Sequence, residues 1–356
     1  MFQERLGTVS EHIQTVRSII STNKNLRELL FQRPAIEELI IHQNTEISSL
    51  KKIAPSLNNW QIYDHCSVVT RLYAIYENFV ESIITDWILQ LPNLFPNYSD
   101  LAEEIRSTHQ IGVAQLLQEL KKKKSRFERL SVEDAIRGLF FGVSNSDHRY
   151  DLIPEAFLLH EQNLRKEALE KLFADAGIPK VWNWIERHRD MKRFIEEVRA
   201  NENTPEGELK QLIEYRNESA HGGVVSNFLD TNTLIEVCDF TEALCRALAE
   251  LITYKIVERQ KSNGQLKQIG KITEWFKKPE AGVAVLNSTS LSLGDRVFLV
   301  NENIAYCQPA IVRSLQVDGV SQAEVQVTEE MELGLQFDVQ ARKDLLIYSE
   351  LSLISA

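Results

Sequence analysis

Residues 60–91 have the sequence WQIYDHCSVVTRLYAIYENFVESIITDWILQL and contain the strongest helical pattern in the chain. Their apolar side chains recur at spacings of three and four, the period of an α-helix. These side chains are Val68, Val69, Leu72, Ile75, Tyr76, Phe79, Val80, Ile83, Ile84 and Trp87. The stripe is broad, which predicts a helix buried on more than one side. Pro92 and Pro96 follow, and we expect the helix to end there.

Helical periodicity continues on both sides of this segment. Residues 1–55 have apolar residues at helical spacing with a break at Pro34, which predicts an N-terminal helical arm or hairpin ending near Pro55. After the long helix, similar patterns predict helices near residues 101–124, 131–139, 160–175, 180–200, 205–221 and 232–260. The chain is therefore predicted to be mainly α up to about residue 262.

The pattern changes beyond residue 262. Residues 261–282, KSNGQLKQIGKITEWFKKPEAG, are polar and interrupted, so we expect a linker over residues 263–289. Residues 290–356 then contain short β-rich runs, which predict a small β-barrel-like domain. These runs cover 295–300, 304–317, 322–328, 336–340 and 344–349. Four basic and ten acidic residues give this predicted domain a net charge of −6, which disfavours nucleic-acid binding there.

Composition excludes several classes of protein. The chain has 40 Lys and Arg against 51 Asp and Glu, a net charge of −11, which is the wrong sign for coating nucleic acid nonspecifically. No uncharged apolar run approaches the roughly 18 residues of a membrane span. Glu4 and Arg5 precede any apolar run, so we expect no secretory signal and no membrane partner, and a cytoplasmic location. The four dispersed cysteines suggest neither disulfides nor a zinc site.

Residues 214–223, EYRNESAHGG, stand out from the remaining helical patterns. The apolar stripe of their predicted helix runs directly into Arg216, and a guanidinium on such a stripe needs either an internal carboxylate or an external phosphate. Asn217 and His221 are four residues apart and project from one side, within reach of the long arginine side chain. His221 lies at the expected C-terminus of the helix, where the dipole favours imidazolium. An arginine that binds phosphate beside a titratable histidine suffices for RNA cleavage by the 2′-hydroxyl.

The string Arg216-Asn217-Glu218-Ser219-Ala220-His221 resembles the R-x4-6-H motif of the HEPN superfamily, including the polar residue after the arginine. The helices before and after it also resemble the antiparallel HEPN helical bundle, which would cover residues 56–262. This region is most similar to HEPN-like nucleases of bacterial toxin–antitoxin and phage-defence loci. The fold class that follows is mainly α, with an N-terminal helical arm and a small C-terminal β-barrel-like domain.

This resemblance implies a specific activity. HEPN nucleases are metal-independent endoribonucleases that dimerise so that two motifs face each other, and they leave 2′,3′-cyclic phosphate and 5′-hydroxyl ends. Arg216 would bind the scissile phosphate, Asn217 would position the histidine or the substrate, and His221 would act in acid–base catalysis. The implied partners are RNA, such as tRNA or mRNA, and a second copy of the chain; no cofactor or metal is implied.

Other residues remain open to two interpretations. Glu77 and Glu81 flank the stripe of the long helix, and either is a candidate counter-ion for Arg216 or a surface residue. The basic run Lys121, Lys122, Lys123, Lys124 and Arg126 is either an RNA contact or a solvated helix end. The alternative function is a catalytically silent HEPN scaffold whose N-terminal arm or β domain binds an antitoxin or another defence subunit.

Overall fold

The structure of the protein is a computed structural model that describes residues 2–31, 45–122, 127, 129–144, 150–159, 163–220, 225 and 227–351. Ten α-helices lie in these ranges. Their bounds are α1 Phe2–Phe31, α2 Thr45–Ile53, α3 Leu57–Leu94, α4 Glu103–Glu119, α5 Val132–Val143, α6 Lys166–Asp175, α7 Val181–Arg187, α8 Arg189–Arg193, α9 Pro205–Ala220 and α10 Thr231–Ser262. A π-helical turn, Phe194–Val198, follows α8, and short 3-10 turns lie at Tyr98–Asp100, Pro154–Phe157 and Glu302–Ile304.

The strands come after the helices. Their bounds are β1 Leu266–Phe276, β2 Ala281–Leu286, β3 Thr289–Ser292, β4 Arg296–Asn301, β5 Tyr306–Val317, β6 Val320–Ser321, β7 Glu324–Val327, β8 Met331–Phe337 and β9 Leu346–Glu350. The chain is therefore mainly α with a small C-terminal β-barrel, which confirms the predicted fold class. It divides into two compact units, one of residues 1–86, 160–172 and 190–246, the other of residues 87–159, 173–189 and 247–356.

In the first unit, α3 is the central helix. Its apolar stripe is almost completely buried, with Val69, Leu72, Tyr76 and Ile83 at 0% exposure. Such burial on several faces requires neighbouring helices on several sides, as the width of the stripe predicts. The helix continues through Pro92 to Leu94, slightly beyond the predicted end.

Helix α1 packs within this unit rather than projecting as a separate arm. Arg5 donates to Asp86 at 3.0 Å, and Arg27 pairs with buried Asp64, so α1 runs antiparallel to α3. Arg17 donates to Asp239 and Glu242 of α10 at 2.6 and 2.8 Å. The side chains of Val9, Ile13, Val16 and Ile20 are buried. The predicted N-terminal helical segment thus packs against α3 and α10, because one face of α1 is apolar and its arginines meet carboxylates.

We expect Arg27→Ala to lower the free energy of unfolding by about 3 kcal/mol, because it leaves the Asp64 carboxylate buried without its cation. Lys24→Ala, an exposed change on the same helix, is the control and should alter stability by less than about 0.5 kcal/mol. Urea denaturation monitored by far-UV circular dichroism measures both. Equal, small effects of the two variants would contradict the bundle role of α1.

The strands form a closed barrel in the second unit. The antiparallel order is β4-β9-β1-β2-β8-β5, and β5 also pairs with β4 to close the barrel, while β3 and β7 form a separate ribbon. The interior is apolar and includes Ile272, Leu299, Val312, Leu333 and Ile347. Asp318 and Gly319 take positive φ angles of 49° and 78° at the tight β5–β6 turn, where the sequence places an Asp-Gly pair.

The predicted linker over residues 263–289 is wrong, because β1 and β2 occupy most of it and are two strands of the barrel. In β1 the side chains of Ile269 and Ile272 belong to the barrel core and Leu266 is also buried, whereas Lys267 and Lys271 are exposed. Over residues 266–351 the barrel has eight basic and twelve acidic residues, so it is less acidic than the predicted domain.

A buried carboxylate joins α10 to the barrel within this second unit. Glu250, 1% exposed, accepts two hydrogen bonds from Arg189, at 2.6 and 2.8 Å. It also accepts the Cys307 backbone N–H at 3.2 Å and the Gln308 side-chain amide at 2.8 Å. Although desolvation opposes ionisation, the nearby His188 ring, with Nε2 3.5 Å from Glu250 Oε1, and the Arg189 guanidinium lower the Glu250 pKa to about 2.

The folded-state pKa of Glu250 lies below its ordinary value, so its stabilisation is complete above about pH 5 and is lost as the pH falls from about 4.5 towards 2. We expect Glu250→Gln to lower the free energy of unfolding at pH 7 by about 2–4 kcal/mol and to flatten this acid dependence. The exposed Glu258→Gln, also on α10, is the control. Urea titrations at pH 7, 4 and 3 make the comparison, and an unchanged acid slope in Glu250→Gln would contradict the assignment.

Candidate active site

Helix α9 carries the motif and is well defined at its start. Thr204 caps it by accepting the Gly207 N–H at 3.1 Å, and Pro205 occupies the first helical position. Leu209, Leu212 and Ile213 are buried at 2% exposure or less. The next positions on that stripe bring Arg216 to the edge of the core, where its side chain is half-buried.

Arg216 lies against an aromatic ring rather than a carboxylate. Its guanidinium carbon is 5.0 Å from the centre of the Tyr73 ring, and Nη1 donates to Asn217 Oδ1 at 3.0 Å. It makes no ion pair with any carboxylate of the described residues. Nε and Nη2 donate to no acceptor there either, so these N–H groups are available for an external anion such as a phosphate.

Glu77 does not serve as the counter-ion that the sequence suggested. Its carboxylate accepts the Tyr73 hydroxyl at 2.9 Å, and neither Glu77 nor Glu81 forms an ion pair with Arg216. Desolvation, with Glu77 as a further cause, raises the Tyr73 pKa, so the hydroxyl stays protonated and can donate. The same oxygen accepts the Leu164 backbone N–H at 3.1 Å. Tyr73 therefore contacts Glu77 through its hydroxyl and Arg216 through its ring.

Asn217 has a second partner far away in the sequence. Asn163 Nδ2 donates to Asn217 Oδ1 at 3.0 Å, so this oxygen accepts one hydrogen bond from Asn163 and one from Arg216. The Asn217 amide nitrogen donates to no acceptor within the described chain. The remaining N–H groups of Arg216 and of Asn217 therefore lie next to each other, and all of them are hydrogen-bond donors. Nothing in the sequence indicates Asn163, which lies 54 residues before its partner.

The histidine of the motif, His221, lies outside the described residues, as do Gly222 and Gly223; α9 ends one residue earlier, at Ala220. In the basic run, Lys121 and Lys122 are exposed, and Lys122 donates to Glu119 at 2.6 Å, which is typical of a solvated helix end. Lys123, Lys124 and Arg126 lie outside the described residues. Lys121 and Lys122 belong to the second compact unit, whereas Arg216 belongs to the first.

His65 is a further buried residue beside the motif helix that sequence reasoning missed. Its ring meets the Tyr215 ring edge-on at 5.4 Å, and Nδ1 accepts the Leu229 N–H at 3.2 Å. Desolvation lowers the His65 pKa, although Glu218 opposes this shift. The His65 ring is therefore neutral, and its Nδ1 accepts the hydrogen bond from Leu229. This bond fixes the chain eight residues after His221. Its place in the α3 stripe was the only sequence signal.

Comparison with known proteins identifies the family. The sequence profile described as RiboL-PSP-HEPN matches residues 35–254, well over half of the chain. The chain belongs to this HEPN family. No curated protein and no solved structure matches it. None of the described helices is both long and apolar enough to cross a membrane.

Membership of the HEPN family gives a coarse functional class. HEPN domains are generally of the ribonuclease type, so the family supports a nuclease or another RNA-related function. The matched range includes Tyr73, Asn163, Arg216 and Asn217, so the site geometry belongs to the HEPN region.

We expect Tyr73→Phe to lower the free energy of unfolding by about 1–2 kcal/mol, since the buried Leu164 N–H loses its acceptor. The ring that faces Arg216 would remain. Tyr63→Phe, at a position 72% exposed on the same helix, is a matched control. Thermal unfolding of the two variants makes the comparison, and a smaller loss in Tyr73→Phe than in the control would contradict the hydrogen-bond assignment.

Proposed function

We propose that this HEPN protein is an endoribonuclease that uses the 2′-hydroxyl of its RNA substrate as the nucleophile. The proposal rests on the surroundings of the Arg216 guanidinium. Its guanidinium lies at the surface of the bundle without a carboxylate partner among the described residues, and it has N–H groups to spare. A structural arginine would normally be paired. A phosphate diester supplies the missing anion.

In the proposed reaction, Arg216 binds the non-bridging oxygens of the scissile phosphate, and Asn217 adds an amide donor. A histidine takes the proton of the 2′-hydroxyl, whose oxygen attacks phosphorus. The bond from phosphorus to the 5′-oxygen breaks, and that oxygen takes a proton. The products are a 2′,3′-cyclic phosphate and a 5′-hydroxyl. His221 is the proposed acid–base residue.

One histidine cannot readily be both base and acid in a single step. We therefore propose a homodimer in which two copies of the motif face a shared cleft, so that each His221 takes one role. Structured RNA such as tRNA, or mRNA, is the proposed substrate in the cytoplasm. A role as a toxin or antiphage effector, with an antitoxin or defence subunit bound at α1 or the barrel, completes the proposal.

The test is cleavage of total RNA in EDTA by the wild-type protein, Arg216→Ala and His221→Ala, with analysis of the product ends. We expect cyclic phosphate ends from the wild type and a loss of activity of about 10³-fold or more in each variant. Glu214→Ala, an exposed change on α9, serves as the control and should cleave normally. Equal cleavage by all four proteins would refute the proposed roles.

The alternative is a HEPN scaffold without catalysis. It would be tolerated when overexpressed, whereas an active nuclease would arrest growth unless His221 is replaced. A protein that neither cleaves RNA nor arrests growth, but retains a bound partner on purification, would favour the scaffold.

A further inference from the structure

Asn163 is held beside the motif by the backbone of its neighbour. Leu164 is completely buried, and both of its backbone polar groups are bound by α3. Tyr73 accepts the Leu164 N–H at 3.1 Å, and the Tyr76 hydroxyl donates to the Leu164 carbonyl at 3.0 Å. Two tyrosines three residues apart on α3, Tyr73 and Tyr76, therefore hold this segment by its backbone. Asn163 has little freedom to move away from Asn217.

The hydrogen-bond chemistry fixes the orientation of both amides. A guanidinium can only donate, so the Asn217 atom that faces Arg216 is the oxygen. The Asn163 atom that faces this oxygen must then be a donor, which is its nitrogen. It follows that the Asn217 nitrogen points away from both partners. A flip of either amide would set like atoms against each other.

We propose that Asn163 is a positioning residue of the ribonuclease site, which rests on the function proposed above. It holds the Asn217 oxygen inward, so that Asn217 presents N–H groups, rather than an acceptor, to the substrate phosphate. Asn163 itself contacts no substrate and acts through Asn217. The motif is thereby completed by a residue outside it.

The second donor to Asn217 matters when substrate binds. In the free protein, the Asn217 oxygen is held by both Arg216 and Asn163. A phosphate competes for the guanidinium, because a charge-assisted hydrogen bond is stronger than one to a neutral amide. Asn163 keeps the amide oriented after Arg216 turns to the phosphate. Without Asn163, the amide is free to flip and present its oxygen to the anion.

The test compares two replacements of Asn163. We expect Asn163→Ala to lower kcat/KM for cleavage of total RNA about tenfold, since Asn217 loses one of two restraints. Asn163→Asp should cost more, about 100-fold, because its carboxylate repels the Asn217 oxygen and turns the amide so that this oxygen faces the phosphate. Because Asn163→Asp also adds a negative charge beside the phosphate site, Asn163→Ala and the double variant below carry the distinction from a purely packing role.

A double variant shows whether Asn163 acts through Asn217. Adding Asn163→Ala to Asn217→Ala should change the cleavage rate by less than about twofold, because the residue through which it acts is already gone. Asn23→Ala is the matched control: Asn23 is also half-buried and donates one side-chain hydrogen bond, to Asp64 at 2.7 Å. It should cleave at the wild-type rate. Thermal melting of every variant confirms that each is folded.

A second readout does not require turnover. Binding of a fluorescein-labelled pool of 2′-O-methyl RNA, measured by anisotropy, should weaken in the order Asn163→Ala, then Asn163→Asp, with Asn23→Ala unchanged. If both Asn163 variants cleaved and bound RNA as well as the wild-type protein while Arg216→Ala was defective, the positioning role would be overturned. The proposed function would still stand. A wild-type protein that neither cleaves nor binds RNA would overturn both.

Discussion

The long helix α3 buries polar groups, and their need for partners organises the first compact unit. Asp64, His65 and Asp86 are at most 4% exposed, and the hydroxyls of Tyr73 and Tyr76 point into the packed interior. A buried polar group without a hydrogen bond is costly, and each of these side chains has a partner in another segment, although Nε2 of His65 has none among the described residues. Arg27 of α1 meets Asp64, Leu229 meets His65, Arg5 meets Asp86, and Leu164 meets both tyrosines.

This constraint also explains how the site is built. Tyr73 uses its hydroxyl to hold Leu164 and Glu77, and its ring face remains for Arg216. One side chain thus binds the segment that carries Asn163, keeps the nearby carboxylate occupied and supports the guanidinium. The arginine can be half-buried without a carboxylate partner among the described residues because the ring face offers an electrostatically favourable surface.

The sequence predicted the helices, the family and the place of Arg216 on α9, because each depends on local periodicity or on a short motif. It failed where spatial neighbours are distant in the chain. Nothing near Asn163 indicates that it meets Asn217, and Arg27 looks like a surface residue until Asp64 is known to face it. The predicted linker failed for another reason: a barrel strand exposes every second side chain, so β1 with Lys267 and Lys271 has a polar composition.

The hydrogen bonds of Glu250 constrain how the combination of α10 and barrel can change during evolution. A single carboxylate on α10 is bound by Arg189 on one side and by the backbone and side chain of β5 on the other. The barrel is therefore not an interchangeable attachment. A gene fusion that replaced it with another small β domain would remove the two donors that β5 supplies to Glu250, and the carboxylate would keep only Arg189 unless the new domain offered equivalent donors. Helix and barrel must be inherited as a pair, so recombination should be tolerated within the bundle or within the barrel more readily than at their boundary.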